Sequence, residues 1–225
     1  LVLSGCSGTS VDTQQRTSQI DSALERAAYS AASRGEDESS LALLERVYKR
    51  NSDDATAALK YAAALRRFDY LNRASMVLRP FASASNATTE IKNEYAAIQL
   101  AQGNYATAEE FAQQSIVIDS ENYQAFHYLG IALDAQGMHE EAERAFRKGL
   151  DYWEGDPTTI MNNLALNLAT QGHVTEARTI LEKALSVAPD RVELQRNLRI
   201  ISTLEETSAP PAKVPKVVPT RKPQN

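Results

Sequence analysis

The sequence predicts an all-α fold, a solenoid of about five helix–turn–helix repeats closed by a C-terminal capping helix. Three observations carry this expectation. Segments 34 or 35 residues apart resemble one another over most of the chain. Each segment holds two apolar stripes at helical spacing, most of them separated by a glycine where the chain must turn back. Beyond the last segment, "RVELQRNLRIISTLEE" (191–206) supplies one further stripe through Val192, Leu194, Leu198, Ile201 and Leu204.

In chain order, the first element is "LVLSGCSGTS", which contains the only cysteine among 225 residues. A lone cysteine is commonly a small buried hydrophobe, but "GCSGTSVDTQQRTSQ" offers no core around it. A reactive thiol would need an activating His or cationic neighbour, and none lies nearby in sequence. The stretch "LSGC" resembles the bacterial lipoprotein signal: Leu3, small Ser4 and Gly5, then Cys6 as the residue to be acylated. By that resemblance, residues 1–5 are the remnant of a signal peptide and Cys6 is the lipidation site. Ser7, not Asp, follows the cysteine, which by resemblance to enterobacterial sorting implies the outer membrane and its periplasmic face. Residues 6–20 are then a lipidated N-terminus and flexible tether. The polar stretch from Ser7 to Ser18 spans roughly 20 Å as a coil.

The repeats occupy 21–191. "YQAFHYLGIALDAQGMHEEAERAFRKGL" (123–150) and "TTIMNNLALNLATQGHVTEARTILEKAL" (158–185) align at an offset of 35, pairing Leu129 with Leu164, Gly137 with Gly172, Ala142 with Ala177 and Phe146 with Leu181. The unit before them aligns at 34, through Gly103 and Ala108. Two earlier units keep the register with altered residues: Ser40 stands at the small-residue position and Asp69 at the turn position. The small residue five places after each turn lets two helices approach closely, while Phe146 and Leu181 fill the space between helices. Pro157 and Pro189 follow second helices and block their continuation, and Pro80 predicts an early end to the second helix of its unit. The capping helix is placed at 192–207. Residues 208–225 form a Pro-rich tail, with five prolines, no helical period and expected polyproline II character.

This pattern resembles the tetratricopeptide repeat (TPR) family, most clearly in "FHYLGIALDAQGMHEEAERAFRKGL", where Leu129, Gly130, Gly137, Ala142 and Phe146 occupy consensus places. The resemblance implies a concave groove lined by the first helix of each unit. Carried over position by position, the groove candidates are Lys60, Ala63, Arg66, Asn93, Glu94, Ala97, His127, Ile131, Asn162, Asn163 and Leu166. The Lys-Asn-Asn pattern of the chaperone-tail carboxylate clamp is not reproduced in register.

Composition narrows the partners. A formal charge of −5 argues against a general nucleic-acid binder, and one cysteine excludes a disulfide framework and any multi-cysteine zinc site. The charge is unevenly spread. From Ala209 onward there are four basic residues (Lys213, Lys216, Arg221, Lys222) and no acid, which leaves the rest of the chain at −9. His127, His139 and His173 lie on separate segments with no HExxH, and no P-loop, GxGxxG or GxSxG is present. No catalytic residues, metal or cofactor are therefore expected, and the repeats leave no room for a catalytic domain. The layout of lipobox, short tether, about five repeats and basic Pro-rich tail resembles TadD-type lipoproteins of tight-adherence (Flp) pilus assembly. That resemblance implies a non-enzymatic scaffold whose partners are secretin or pilus components. A type IV pilotin, or an adaptor or activator for cell-wall or outer-membrane protein assembly, is the alternative.

Overall fold

In a computed structural model, the described backbone covers residues 8–208 and the described side chains 18–206. It is helical throughout, with α1 Gly8–Ser33, α2 Asp37–Arg50, α3 Ala55–Arg67, α4 Leu71–Ala82, α5 Thr89–Ala101, α6 Tyr105–Ile118, α7 Tyr123–Ala135, α8 His139–Asp151, α9 Thr158–Thr170, α10 Val174–Val187 and α11 Val192–Ser208. Consecutive helices pack as five antiparallel pairs, and α11 lies against α10 and α9 at the end of the stack. The odd-numbered helices from α3 also contact one another and form the inner layer.

The five turns are one structure repeated. Gly35, Gly103, Gly137 and Gly172 have φ between 75° and 84°, and Asp69 takes the same left-handed conformation at 62°. In each turn the following N–H reaches back to a carbonyl five residues earlier. Glu36 bonds Ala31 at 2.9 Å, Tyr70 bonds Leu65 at 2.8 Å, Asn104 bonds Gln99 at 2.9 Å, Met138 bonds Leu133 at 3.0 Å and His173 bonds Leu168 at 2.9 Å. This closure satisfies carbonyls that the helix end leaves without partners. The small residues that follow are buried as expected: Ala74, Ala108, Ala142 and Ala177 are fully buried, and Ser40 nearly so. The one-residue change of period falls in the connector between α8 and α9, where Gly155 adopts φ 78° and Trp153 Nε1 donates to the Asp156 carbonyl at 2.9 Å.

The core forms two clusters. One runs from Ala28 to Ala112 across α1–α6, the other from Leu133 to Ile201 across α7–α11. Leu129 of α7 packs against both.

One expectation is corrected. The segment read as a coil tether up to residue 20 is helical from Gly8. It lacks proline and internal glycine, so nothing in it stops α1 from extending upstream of the part that packs on α2. Pro80 lies inside α4, which ends two residues later at Ala82, early as expected. α4 has 12 residues where α6, its equivalent in the next unit, has 14. Cys6 and the tail from 209 lie outside the described residues.

Candidate functional site: the concave face

The inner layer is built to present polar side chains, because each inner helix turns its apolar stripe toward its pair partner and leaves the opposite face to the concavity. A cavity of about 490 Å³ opens there between α1, α3, α5 and α7. Five of the groove candidates, Lys60, Ala63, Arg66, Asn93 and Glu94, line it. Their charges are paired. Arg66 donates twice to Glu94, at 2.6 and 3.1 Å, and Lys60 Nζ lies 2.7 Å from Glu25 on α1. The Glu94 carboxylate raises the pKa of the Arg66 guanidinium, chiefly through this bidentate contact. Beneath the pair, Tyr128 has its phenol pKa pushed up by burial. Leu59, Phe68 and half-exposed Tyr29 supply apolar wall.

Asn93 differs from its neighbours. It is 5 % exposed, and its Nδ2 donates to Asn122 Oδ1 at 3.1 Å and to Gln124 Oε1 at 3.5 Å. Asn122 is the N-cap of α7, and its Oδ1 also accepts from the Ala125 N–H at 2.9 Å. The Asn93 amide therefore cannot turn over without setting two acceptors against each other. Its Oδ1 is left buried with no partner.

The C-terminal candidates do not join this cavity. His127 is buried, and its Nε2 sits 2.8 Å from Asn163 Nδ2, so these two candidates satisfy each other. Burial lowers the His127 pKa to about 4, which keeps the ring neutral with Nε2 as acceptor. Trp153 and the imidazole meet in a T-shaped contact, ring centroids 5.6 Å apart. Asn162 Oδ1 accepts from Asn197 of α11 at 2.8 Å, an inter-helix bond supplied by the cap. Ile131 is half-buried against the second core, and Ala97 is buried. Leu166 remains exposed at 39 %.

Gln124 and Tyr128 line the cavity and were not among the candidates. The repeat carried the signal for both. They stand 34 residues after Glu90 and Glu94, and Tyr128 is 68 after Lys60, so the same positions recur with different side chains. Among the described residues there is no cluster of metal-ligand type, and no helix is long and apolar enough to cross a membrane.

A sequence profile of the tetratricopeptide repeat matches residues 158–188, which are α9 and α10. No curated protein matches the sequence. Solved structures do resemble it. A thermophilic TPR protein of Thermus thermophilus superposes with TM-score 0.69 at 17 % identity, over 81 % of this chain and 99 % of that one. A fragment of MamA from Desulfovibrio magneticus gives 0.63 at 16 %, over 77 % and 97 %. YrrB, described as a TPR protein with an unusual peptide-binding site, gives 0.59 at 16 %, over 86 % and 100 %. At such identities the likeness concerns the fold, and the fold is a TPR solenoid.

Proposed function

We propose that this TPR solenoid is a non-enzymatic docking scaffold that receives a segment of a protein partner in the concavity of α1, α3, α5 and α7. The observation that carries the reading is the open 490 Å³ cavity. Its floor holds a prepaired Arg66–Glu94 couple, and exposed Glu90 and Gln124 in its lining offer acceptors. An extended chain has N–H groups to offer along its length, so a scaffold with such a floor can hold a peptide without altering it. The peptide-binding site reported for YrrB, on a similar fold, supports the same mode.

The finer reading places the protein at the periplasmic face of a bacterial outer membrane, held by acyl chains on Cys6, and gives it a part in pilus or secretion assembly beside a secretin. The "LSGC" motif and the order of lipobox, repeats and basic tail support it. α1 has 26 residues against 14 in α2, so its backbone is longer than its partner by about 12 residues, or roughly 18 Å of helix. Two experiments test the proposal separately. Cys6→Ser should move the protein from the membrane to the soluble fraction, whereas a mature protein that keeps Leu1–Gly5 and a free thiol in its host would end the anchoring part. Ala63→Trp fills the cavity from a half-buried position, and should abolish co-purification of the secretin with the natively anchored protein. Unchanged co-purification, with thermal stability preserved, would mean that the groove is not the docking surface.

A further inference from the structure

At the edge of the concave face, where α5, α7 and α9 begin, a second recess of about 490 Å³ adjoins the first. Glu90, Asp119, Glu121 and Glu154 line it, with no lysine or arginine. Acidic residues alone are an ordinary solvated surface. Here the recess also reaches Asn93, the 5 %-exposed residue whose Oδ1 has no hydrogen-bond partner. The recess therefore combines four negative charges with a wall residue whose buried carboxamide oxygen has no partner, and the charges ask for a cationic occupant.

The chain contains such a segment. Residues 209–225 carry four basic side chains and no acid. We propose that this tail docks in cis into the recess, with Arg221 and Lys222 among the four carboxylates. Reach permits it. Helices joined by short turns alternate in direction, so α11 runs parallel to α5, α7 and α9, and Ser208 lies at the edge opposite the recess. Crossing back along one helix length takes about 20 Å, and passing two inner helices takes about 20 Å more, a diagonal of roughly 30 Å. The 13 residues from Ser208 to Arg221 extend about 40 Å at polyproline II rise. Lys213 lies too close to Ser208 to arrive, and Lys216 only just reaches the rim, which favours the distal pair.

The recess and the groove share Glu90, Asn93 and Gln124. A docked tail would thus cover one end of the groove and compete with an incoming partner. Docking itself does not depend on the groove having a partner, so it can be measured without one.

The test uses the full chain with Cys6→Ser and a nitroxide placed on Gln224→Cys. At low salt, backbone amides of 119–124 and 152–156 should broaden, while those of 170–174 on the opposite edge should not. The broadening should be lost at high salt, in Glu121→Gln/Glu154→Gln and in Arg221→Glu/Lys222→Glu; thermal unfolding should show both variants folded as the parent is. Mixing nitroxide-bearing, isotope-free chains with isotope-labelled chains lacking the nitroxide should give no broadening. No effect at low salt, an effect that survives charge removal, or an effect in the mixed sample would each overturn docking in cis.

Discussion

Asp69 is held at φ 62°, in a conformation that the other four turns assign to glycine. A Cβ in the left-handed region costs energy that glycine avoids, and Asp tolerates it better than most residues because its short side chain can bond locally. Asp69→Gly should therefore raise stability by about 1 kcal/mol in denaturant unfolding. A loss would show that the aspartate side chain holds the turn. His127 makes the opposite kind of demand on the fold. Burial lowers its pKa from 6.5 to about 4, so between these values the unfolded chain binds a proton that the folded one refuses. Its contribution is complete above pH 6.5 and is lost as pH falls toward 4, by up to about 3 kcal/mol. His127→Gln keeps an amide acceptor for Asn163 and should flatten stability between pH 4 and 6.5. An unchanged slope would assign it to carboxylates instead.

Helix pairs fit because specific positions are left empty. Gly130 sits inside α7, where alanine is normally preferred by about 1 kcal/mol. The Phe146 ring of α8 occupies the space instead, and a Cβ at residue 130 would lie 2.5 Å from it. Gly130→Ala should thus destabilise by about 1–3 kcal/mol in thermal unfolding, and Phe146→Leu in the same chain should recover part of the loss. If the single substitution stabilises, α7 and α8 are packed less closely than described. Features of this kind were legible in the sequence because turn, small residue and filler recur at a fixed offset; Gly137, Ala142 and Phe146 give the α7–α8 pair almost by themselves. Half of the groove was legible for the same reason: Lys60, Arg66, Asn93 and Glu94 share the inner face. The other half was not. Whether His127, Asn162 and Asn163 face solvent or one another depends on α11, whose Asn197 engages Asn162, and on the Trp153 connector, which breaks the period beside His127. The beginning of α1 escaped notice because its polar residues carry no apolar stripe, while helix formation there needs only the absence of a breaker.

For the whole molecule, the cap and the division of the core matter most. α11 buries Leu194 and Ile201 completely, so the last repeat is covered rather than open. Removing residues 192–225 would expose the α9–α10 face, and should lower the thermal midpoint and induce binding of a hydrophobic dye. Equal midpoints with and without α11 would mean that five pairs suffice. The two core clusters meet where α7 packs on α5 and α6, with Leu129 touching both, and a linear array of repeats need not open all at once. Amide hydrogens on α3–α5 and on α9–α10 should therefore exchange with deuterium through two separate openings, each with its own free energy. Leu129→Ala, at a cost of about 2 kcal/mol, should drive those two values further apart. Ligation of either half would then slow exchange in that half first, so the pattern of protected amides would report which end of the stack a partner has gripped.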